Sequence, residues 1–514
     1  MRINKLKITS KWKNLEGFCI DFDESCDVTV LIGRNGSAKT NLAEALISIF
    51  SKLNLRKPAP FSYELNYKIA GHHICLNGIE GKTPTATVNS KKVAATVVRE
   101  QYSPRYVVGY YSGTSDRFKE LFEEHDKLAL NKTLVDNPDN DKLDLSSFIC
   151  ARPIHGLFSL LAFYYSDDAE VCKFLEKLPR IEAFDSLLIV LNKPSWAKNN
   201  AKAEDFWGAR GPVRDLLEAI KRHSLVPFAR TLRTKIDFRR YETKEFLYLY
   251  LPDLQALQAL AKEYGKDPGA LFQALDTMRL SEFIDESSFR VKVRVKGSDD
   301  SIHTRQLSEG EQQLLTVLGL MRFTRNAESL YFLDEPDTHL NPAWGVDYLE
   351  HLRNVGEIDK NSHTILATHD PLLVSGLRKN EIRVLHRNQK GQIAAKEPDE
   401  SPRGRGVAGV LTSPLFGLES QLDPYSLDVL KRIYEVSLKE KYPRQQRHLE
   451  RLRKLVPSLT PDEMSPDPYR NIARMAYETV MNEIVSADKN TDWKIQAIDR
   501  LSSKLYDSVS LEKK

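Results

Sequence analysis

The stretch Gly33–Thr40 reads GRNGSAKT, and it decides how the rest of the chain is interpreted. It follows the phosphate-binding pattern G-x-x-x-x-G-K-[ST], except that Ala38 stands where the pattern has its second glycine. The apolar run VTVLIG precedes the loop, and apolar side chains at helical spacing follow it. A buried strand, a loop and a helix N-terminus form the setting in which this pattern binds phosphate. The candidate nucleotide-binding residues are Gly33, Arg34, Asn35, Gly36, Ser37, Ala38, Lys39 and Thr40.

Ala38 departs from the phosphate-binding pattern, and its effect depends on its backbone conformation. At the start of the helix, a right-handed backbone conformation would suit alanine well. If the backbone there instead has a positive φ, the alanine costs of order 1 kcal/mol. Its N–H remains in either case, and phosphate is held by the N–H. We therefore expect the loop to bind phosphate.

Composition places few demands on partners. The chain has 514 residues, and 75 basic against 71 acidic residues give a net charge of +4, so any basic patch must be local. Five scattered cysteines without a CxxC pair favour reduced thiols. The N-terminus has no apolar signal run, and no stretch approaches the ~20 apolar residues that span a bilayer. These features predict a cytoplasmic protein with no membrane association.

Hydrophobic patterning predicts an α/β chain in four parts. Residues 1–115 alternate strand-like runs around the loop, and residues 116–285 are expected to form a mainly helical insert. Strand character returns in residues 286–397. A stretch rich in proline, glycine and charge then leads into a helical region at 398–514, which we expect to bind a partner. Its basic residues favour a solvated face, with partner or nucleic-acid contact as the alternative.

A second candidate segment is the apolar run SLYFL, which ends in Asp334 and Glu335. A buried strand that stops at two carboxylates can place one at a metal and the next beside a phosphate. Mg²⁺ prefers oxygen ligands and keeps several waters, so we expect Asp334 to hold it through water while Thr40 ligates it directly. Glu335 would orient or deprotonate an attacking water.

Two further segments complete the set. In LSEGEQQ, Ser308 and Gly310 open a helix whose N–H groups suit a phosphate, although the same residues also read as an ordinary N-cap. In TILATHD, a buried strand runs into His369, which could hydrogen-bond the phosphate or the attacking water.

In this order, the four segments resemble the Walker A, signature, Walker B with D-loop, and switch-histidine motifs of ABC-type ATPases. The N-terminal segment INKLKITSKWKNLEGFCIDF resembles the first strands of the SMC/RecF branch, which includes the overcoming-lysogenization-defect type. The long insert of that branch resembles the separation of Lys39 and Asp334, which lie 295 positions apart. The signature has Glu309 where the family has glycine. The resemblance implies an ABC-type ATPase head, a mixed sheet with the loop and flanking helices, that carries a helical insert and a helical C-terminal extension.

The resemblance also implies how the site works. ATP with Mg²⁺ would lie between two heads, so a homodimer or a higher homo-oligomer is expected. Lys39 would bridge the β- and γ-phosphates, Ser308 and Gly310 of a second subunit would close on the γ-phosphate, and Asp337 would lie at the seam. We expect no nuclease centre within the chain itself.

Two weaker segments, VVGYYSGTSDRF and GVLTSPLFGLESQLDP, resemble bacterial anti-phage defence ATPases of the PtuA type, found in Septu systems and beside some retrons. Those ATPases act with an HNH nuclease, PtuB, which implies such a partner here, together with a reverse transcriptase and retron DNA in the retron case. A DNA-repair ATPase of the RecF/SMC kind and a non-hydrolysing nucleotide-dependent scaffold are the alternatives. A transporter subunit is disfavoured, because the insert and tail are too large.

Overall fold

A computed structural model of the chain describes residues 1–133, 146–165, 169–177, 180–235, 237–263, 268–284, 287–298, 300–325, 327–356, 361–418, 420, 422–437, 448, 450–452 and 454–456. The chain divides into two compact units, Met1–Gly417 and Leu418–Lys514. The first unit therefore continues through the proline- and glycine-rich stretch after residue 397. Within the described residues, no helix has both the length and the apolar character needed to cross a membrane.

The strands of the described residues are β1 (Arg2–Ile8), β2 (Phe18–Asp21), β3 (Val28–Ile32), β4 (Tyr63–Ile69), β5 (His72–Gly78), β6 (Thr85–Val88), β7 (Lys91–Val93), β8 (Tyr106–Tyr111), β9 (Phe148–Cys150), β10 (Ile181–Asn192), β11 (Phe228–Lys235), β12 (Tyr241–Leu251), β13 (Phe289–Val295), β14 (Ser301–His303), β15 (Ser329–Asp334), β16 (Ser362–Ala367), β17 (Ile382–Arg387) and β18 (Ile393–Lys396).

The α-helices of the described residues are α1 (Lys39–Asn54), α2 (Ala95–Gln101), α3 (Arg117–Thr133), α4 (Pro153–Phe163), α5 (Ala169–Lys177), α6 (Gly211–His223), α7 (Leu254–Glu263), α8 (Pro268–Leu280), α9 (Glu309–Phe323), α10 (Pro342–Asn354), α11 (Pro371–Ser375), α12 (Gly406–Leu411) and α13 (Pro424–Ser437). The predicted α/β class, with the loop between a strand and a helix of a mixed sheet, is confirmed.

A seven-stranded sheet, in the order β18-β17-β3-β16-β15-β8-β9, organises the site. Its strands run parallel, except that β18 pairs antiparallel with β17. Successive residues of a strand enter different cores: Tyr331 and Leu333 belong to one apolar cluster, and Leu330 and Phe332 to the other. A parallel sheet buried on both faces explains why SLYFL and VTVLI are unbroken apolar runs.

The carboxyl ends of β3, β15 and β16 lie side by side, because these strands are parallel and β16 pairs with the other two. The chain leaves β3 into the phosphate loop, leaves β15 at Asp334, and leaves β16 toward His369. Three sequence motifs that are far apart in the chain therefore meet at one edge of the sheet. Ligands bind at such an edge in open α/β sheets.

The other sheets are antiparallel: a six-stranded sheet, β2-β1-β4-β5-β6-β7, and a five-stranded sheet, β11-β12-β10-β13-β14. The second contains β10, β11 and β12, strands that the sequence did not predict within residues 116–285, beside the helices α3 to α8 of the same range. Strand β10 carries apolar residues on both of its faces, and such a run does not distinguish a strand from a buried helix. The predicted domain limits stay predictions.

Candidate active site

The phosphate loop bends through two residues with left-handed backbone. Gly36 has φ 78°, and Ala38, the N-cap of α1, has φ 76° and ψ 18°. Ala38 therefore has a positive φ, not the right-handed conformation that would suit alanine, and it occupies a conformation that favours glycine. The loop still ends at the N-terminus of a 16-residue helix, where free N–H groups and the helix dipole attract anions.

Ser37 is the residue of the loop with an unused polar group. Its side chain is buried, and its hydroxyl makes no hydrogen bond. A buried hydroxyl without a partner carries a desolvation cost that a phosphate oxygen would relieve. Gly33 approaches its surroundings closely, since a Cβ there would lie 2.4 Å from the carbonyl oxygen of Leu385. The loop thus fits a phosphate through both its backbone path and an unsatisfied donor.

Lys39 points back over the loop. Its Nζ donates to the Gly33 carbonyl oxygen at 2.9 Å and lies 2.6 Å from His369 Nε2. An ammonium group can only donate, so His369 accepts through Nε2 and carries its proton on Nδ1. Burial lowers the pKa of Lys39, while the carboxylates of Glu335 and Asp334 oppose that shift. The lysine is thus a buried cation whose contacts a phosphate could replace.

Thr40 and Asp334 form the second contact between motifs. The Thr40 hydroxyl donates to Asp334 Oδ2 at 2.6 Å, although the two residues are 294 positions apart in the chain. Burial raises the pKa of Asp334, and the Glu335 carboxylate adds to the rise, whereas the Thr40 hydrogen bond lowers it.

These two oxygen donors test whether Mg²⁺ fits. Within the described residues, no cluster of three or more His, Cys, Asp or Glu side chains could hold a metal by itself. Mg²⁺ commonly uses one or two protein oxygens and completes its shell with water and substrate phosphates. Thr40 and Asp334 have the right chemistry for that kind of site.

Glu335 has a strained backbone. Its φ is 51°, in the left-handed region, and its N–H donates to the Ala367 carbonyl oxygen at 2.8 Å. Its Oε1 lies 3.6 Å from His369 Nε2. Burial lowers the pKa of His369 and nearby Lys39 lowers it further, so the imidazole is neutral at pH 7. Non-glycine residues held in this conformation are concentrated at functional sites.

Asp337 is buried and contacts Thr368, which directly follows β16. It accepts a hydrogen bond from the Thr368 hydroxyl, which in turn accepts from the Asp370 N–H at 2.8 Å. Burial raises the pKa of Asp337 to about 6, and the carboxylates of Asp370 and Glu335 add to the rise. The cavity between these groups has a volume of about 320 Å³. Its walls are Glu335, Asp337, Thr338, Leu340, Pro342, His369, Asp370 and Leu372.

Ser308 forms an N-terminal capping box for α9. Its Oγ accepts from the Glu311 N–H, and its own N–H donates to Glu311 Oε2 at 2.7 Å. Ser308 therefore acts as the N-cap of α9. In the described part of the chain, no hydrogen bond joins Ser308 to the phosphate loop. Gly310 packs against the segment after Asp337, because a Cβ there would lie 2.5 Å from the His339 carbonyl oxygen.

A charged cluster beside the loop was not predicted. Glu44, on the buried side of α1, is paired with Arg117 at 2.7 Å and with Lys13. Arg117 also donates to Asn41, next to Thr40. Arg117 lies in VVGYYSGTSDRF, but nothing in that stretch indicated which acid it pairs with. Thr368 was likewise missed, although it directly precedes His369.

Comparison with known proteins gives a family match for the centre of the chain. Residues 179–375 match the family AAA_21, described as "AAA domain, putative AbiEii toxin, Type IV TA system". The match includes the Ser308, Glu335 and His369 segments and does not include the phosphate loop. Septu protein PtuA of Bacillus mycoides (strain KBAB4) is 27% identical over 177 residues. That alignment covers 33% of this chain and 24% of PtuA.

Solved structures of an SMC head and of RecF also match, at low identity and low TM-score. An SMC head bound to the C-winged helix domain of ScpA has a TM-score of 0.35 and 13% identity, with 77% of this chain and 98% of that chain covered. The structure of the recombination mediator protein RecF-ATPrS in the RecFOR pathway has a TM-score of 0.29 and 14% identity, with 76% of this chain and 97% of that chain covered. Residues 179–375 are therefore similar to an AAA-type ATPase domain family of the AbiEii kind, and part of the chain is similar to Septu protein PtuA.

Proposed function

We propose that the chain is the ATP-binding and ATP-hydrolysing subunit of a bacterial anti-phage defence complex, in which it dimerises around ATP and controls a partner nuclease of the HNH type. The observation that carries the ATPase part is the meeting of the motifs at one sheet edge. Thr40 Oγ1 lies 2.6 Å from Asp334, and Lys39 Nζ lies 2.6 Å from His369.

The chemistry follows from these groups. The loop N–H groups and the Ser37 hydroxyl bind the phosphate oxygens, and Lys39 exchanges its contact with Gly33 for the β- and γ-phosphates. Mg²⁺ held by Thr40, and through water by Asp334, would neutralise charge on the phosphates. Glu335 accepts the proton of the water whose oxygen attacks the γ-phosphorus. The bond to the bridging oxygen then breaks, and ADP leaves with that electron pair.

His369 supports the same step as a neutral group. Its Nε2 lies close to both Lys39 and Glu335. When Lys39 moves to the phosphates, Nε2 can accept a hydrogen bond from the attacking water. The second copy of the chain would contribute Ser308 and Gly310 to the γ-phosphate and Asp337 to the seam. The opening of α9 supports this role, because the first N–H groups of an α-helix lack partners within the helix and attract anions.

The defence role and the partner rest on the partial similarity to Septu protein PtuA. ATPases of that type act with an HNH nuclease, and some lie beside a retron. A nuclease docked on the insert or on the C-terminal region would be released or restrained as the ATPase closes and opens.

Two measurements on the native complex test this function. Phosphate release should be lost in Glu335→Gln with ATP binding kept, whereas Lys39→Ala should lose binding. Affinity purification from the native host should recover a nuclease chain with the wild-type protein. A protein that binds ATP with no turnover, alone or with every recovered partner, would be a scaffold. Purification as a lone monomer under all nucleotide conditions would rule out the defence complex.

A further inference from the structure

The five-stranded antiparallel sheet has two unlike faces. One face packs into the main apolar core and carries Leu187, Ile189, Leu191, Leu247, Leu249, Leu251, Phe289, Val291 and Val293. The side chains between these residues point to the opposite face, because successive residues of a strand alternate. Leu188, Val190, Tyr248 and Tyr250 are on that opposite face, and none of them belongs to an apolar cluster of the described residues. We call this opposite face the outer sheet face.

Strand β13 supplies cations to the outer sheet face. The sequence Phe289–Val295 alternates apolar and basic residues, so Arg290, Lys292 and Arg294 share one face and are all exposed. Across the described residues, no ion pair joins any of these three to a carboxylate. Their charge is therefore available to a ligand. The alternation also explains how a chain with a net charge of +4 acquires a locally basic surface.

A neighbouring histidine responds to this charge. His303 on β14 is directly opposite Lys292 in the register. Burial lowers the pKa of His303, and Arg305, Arg290 and Lys292 lower it further, with no carboxylate opposing them. The side chains of Arg290 and Lys292 thus act as positive charges on the residue beside them.

Strands β11 and β12 add aromatic rings to the same face. Phe228 stacks on Tyr248, with ring centroids 4.8 Å apart and planes 2° from parallel. Phe228 is 50% exposed and Tyr250 37% exposed, although both are large apolar rings. Arg230, two residues after Phe228, shares its face and is also exposed. Stacked rings beside unpaired cations form a surface that can bind both a flat base and a phosphate.

The register fixes the spacing of rings and cations. Tyr250 is opposite Leu188, and Leu188 is opposite Arg290, so ring and cation lie two strands apart in one row. Neighbouring strands are about 4.8 Å apart, which gives roughly 10 Å between the two backbone positions. A single strand can place a base on the ring and a phosphate on the cation at this separation. A duplex keeps its bases stacked internally and could not use the rings in this way.

We propose that the outer sheet face binds single-stranded nucleic acid, with Arg290, Lys292 and Arg294 contacting phosphates and Tyr248, Tyr250 and Phe228 stacking on bases. The site is separate from the ATPase motifs, and it does not depend on the proposed function. DNA and RNA share the chemistry that this surface recognises, so the experiment includes both.

The test is fluorescence anisotropy of the full-length protein with labelled 20-nucleotide single strands of DNA and RNA and with a 20-base-pair duplex. Arg290→Glu/Lys292→Glu should weaken single-strand binding at least 10-fold. It should also reduce the slope of log affinity against log salt by about 1.4 for two lost contacts. Lys91→Glu/Lys92→Glu is the matched control, because it makes the same charge change at exposed residues of β7 in another sheet. The control should stay within 2-fold of wild type.

Stacking is tested separately with Tyr250→Ala, which should weaken single-strand binding about 10-fold, and with Tyr250→Phe, which should retain it. Equal weakening by the two charge-reversal pairs would overturn the proposal, as would an absence of single-strand binding. Tighter binding of the duplex would also overturn it, as would labelled polyglutamate that binds wild type more tightly than either single strand and does not bind Arg290→Glu/Lys292→Glu. The last result would assign the face to an acidic polypeptide.

Discussion

Single residues at the sheet edge are held in conformations that their side chains do not favour. Ala38 and Glu335 both have left-handed backbone, with φ 76° and 51°. The first follows from the turn that leads from β3 into α1, and the second from the exit of β15. At both positions the surrounding packing, not the residue itself, sets the backbone, and this strain can be measured by substitution.

Ala38→Gly should raise the stability of the protein by roughly 0.5–1 kcal/mol, because glycine avoids the left-handed penalty at a modest entropic cost. Nucleotide binding should persist, since the N–H that a phosphate uses is unchanged. Thermal denaturation and ATP titration would measure the two effects. Ala45→Gly, in the regular interior of α1, is the control and should lower stability. A fall in stability for both variants would show that Ala38 is not strained.

Asp337 should make stability depend on pH. Its pKa is raised to about 6 from an ordinary 3.8, so the folded state holds a proton that the unfolded state releases. This contribution is fully present below about pH 4 and is lost as pH rises through 6. Asp337→Asn keeps an acceptor for Thr368 and cannot ionise. Its stability relative to wild type should therefore rise by roughly 2–3 kcal/mol between pH 4 and pH 7.

Melting temperatures of wild type and Asp337→Asn across that pH range would measure the difference. Groups common to both proteins cancel in the comparison. Parallel pH curves would mean that Asp337 is ionised throughout.

At the scale of elements, the start of α9 has a structural role besides the proposed one. Ser308 and Glu311 cap the helix, and the missing side chain of Gly310 allows the backbone at His339 to approach closely. Helix α9 also packs closely on α4, where a Cβ at Gly319 would lie 2.0 Å from Ser159 Oγ. The candidate signature segment is therefore held in place by contacts within its own chain.

Gly310→Ala should disrupt this arrangement, because the new Cβ would lie 2.5 Å from the His339 carbonyl oxygen, a backbone atom that cannot rotate away. We expect a loss of about 1–3 kcal/mol from overpacking, together with reduced ATP turnover. Gly376→Ala is the matched control, since its Cβ would lie 3.8 Å from the nearest atom. Thermal denaturation and phosphate release would follow both variants. Equal stability and equal turnover of the two variants would contradict a close contact between Gly310 and the His339 carbonyl oxygen.

At the scale of the whole molecule, the proposed dimer predicts a mass change that depends on nucleotide. Glu335→Gln with ATP and Mg²⁺ should shift toward twice the monomer mass, because the closed state forms and is not hydrolysed. Lys39→Ala should not shift, since it cannot hold the phosphates. Light scattering after size-exclusion chromatography would measure both. A mass that is independent of nucleotide in both variants would contradict closure around ATP.

Much of the fold could be predicted from the sequence, because its signals lie between residues that are close together in the chain. The loop, the buried runs before Asp334 and His369, and the helix after Thr40 each carry their signal within about a dozen residues. The five-stranded sheet could not be read in the same way. The apolar residues on both faces of β10 are also compatible with a buried helix, and long-range pairing decides between the two.

The sequence by itself determined the order of the motifs, the α/β class and the residue types at the candidate site. The tertiary structure decided what those residues contact: the Thr40–Asp334 and Lys39–His369 pairs, the left-handed backbone at Ala38 and Glu335, and the shared face of Tyr250 and Arg290. Each of these depends on the pairing or packing of segments that are distant in the chain, whereas a motif depends on neighbours along it. Local patterns can therefore predict a motif, but contacts between distant segments appear only in the folded chain.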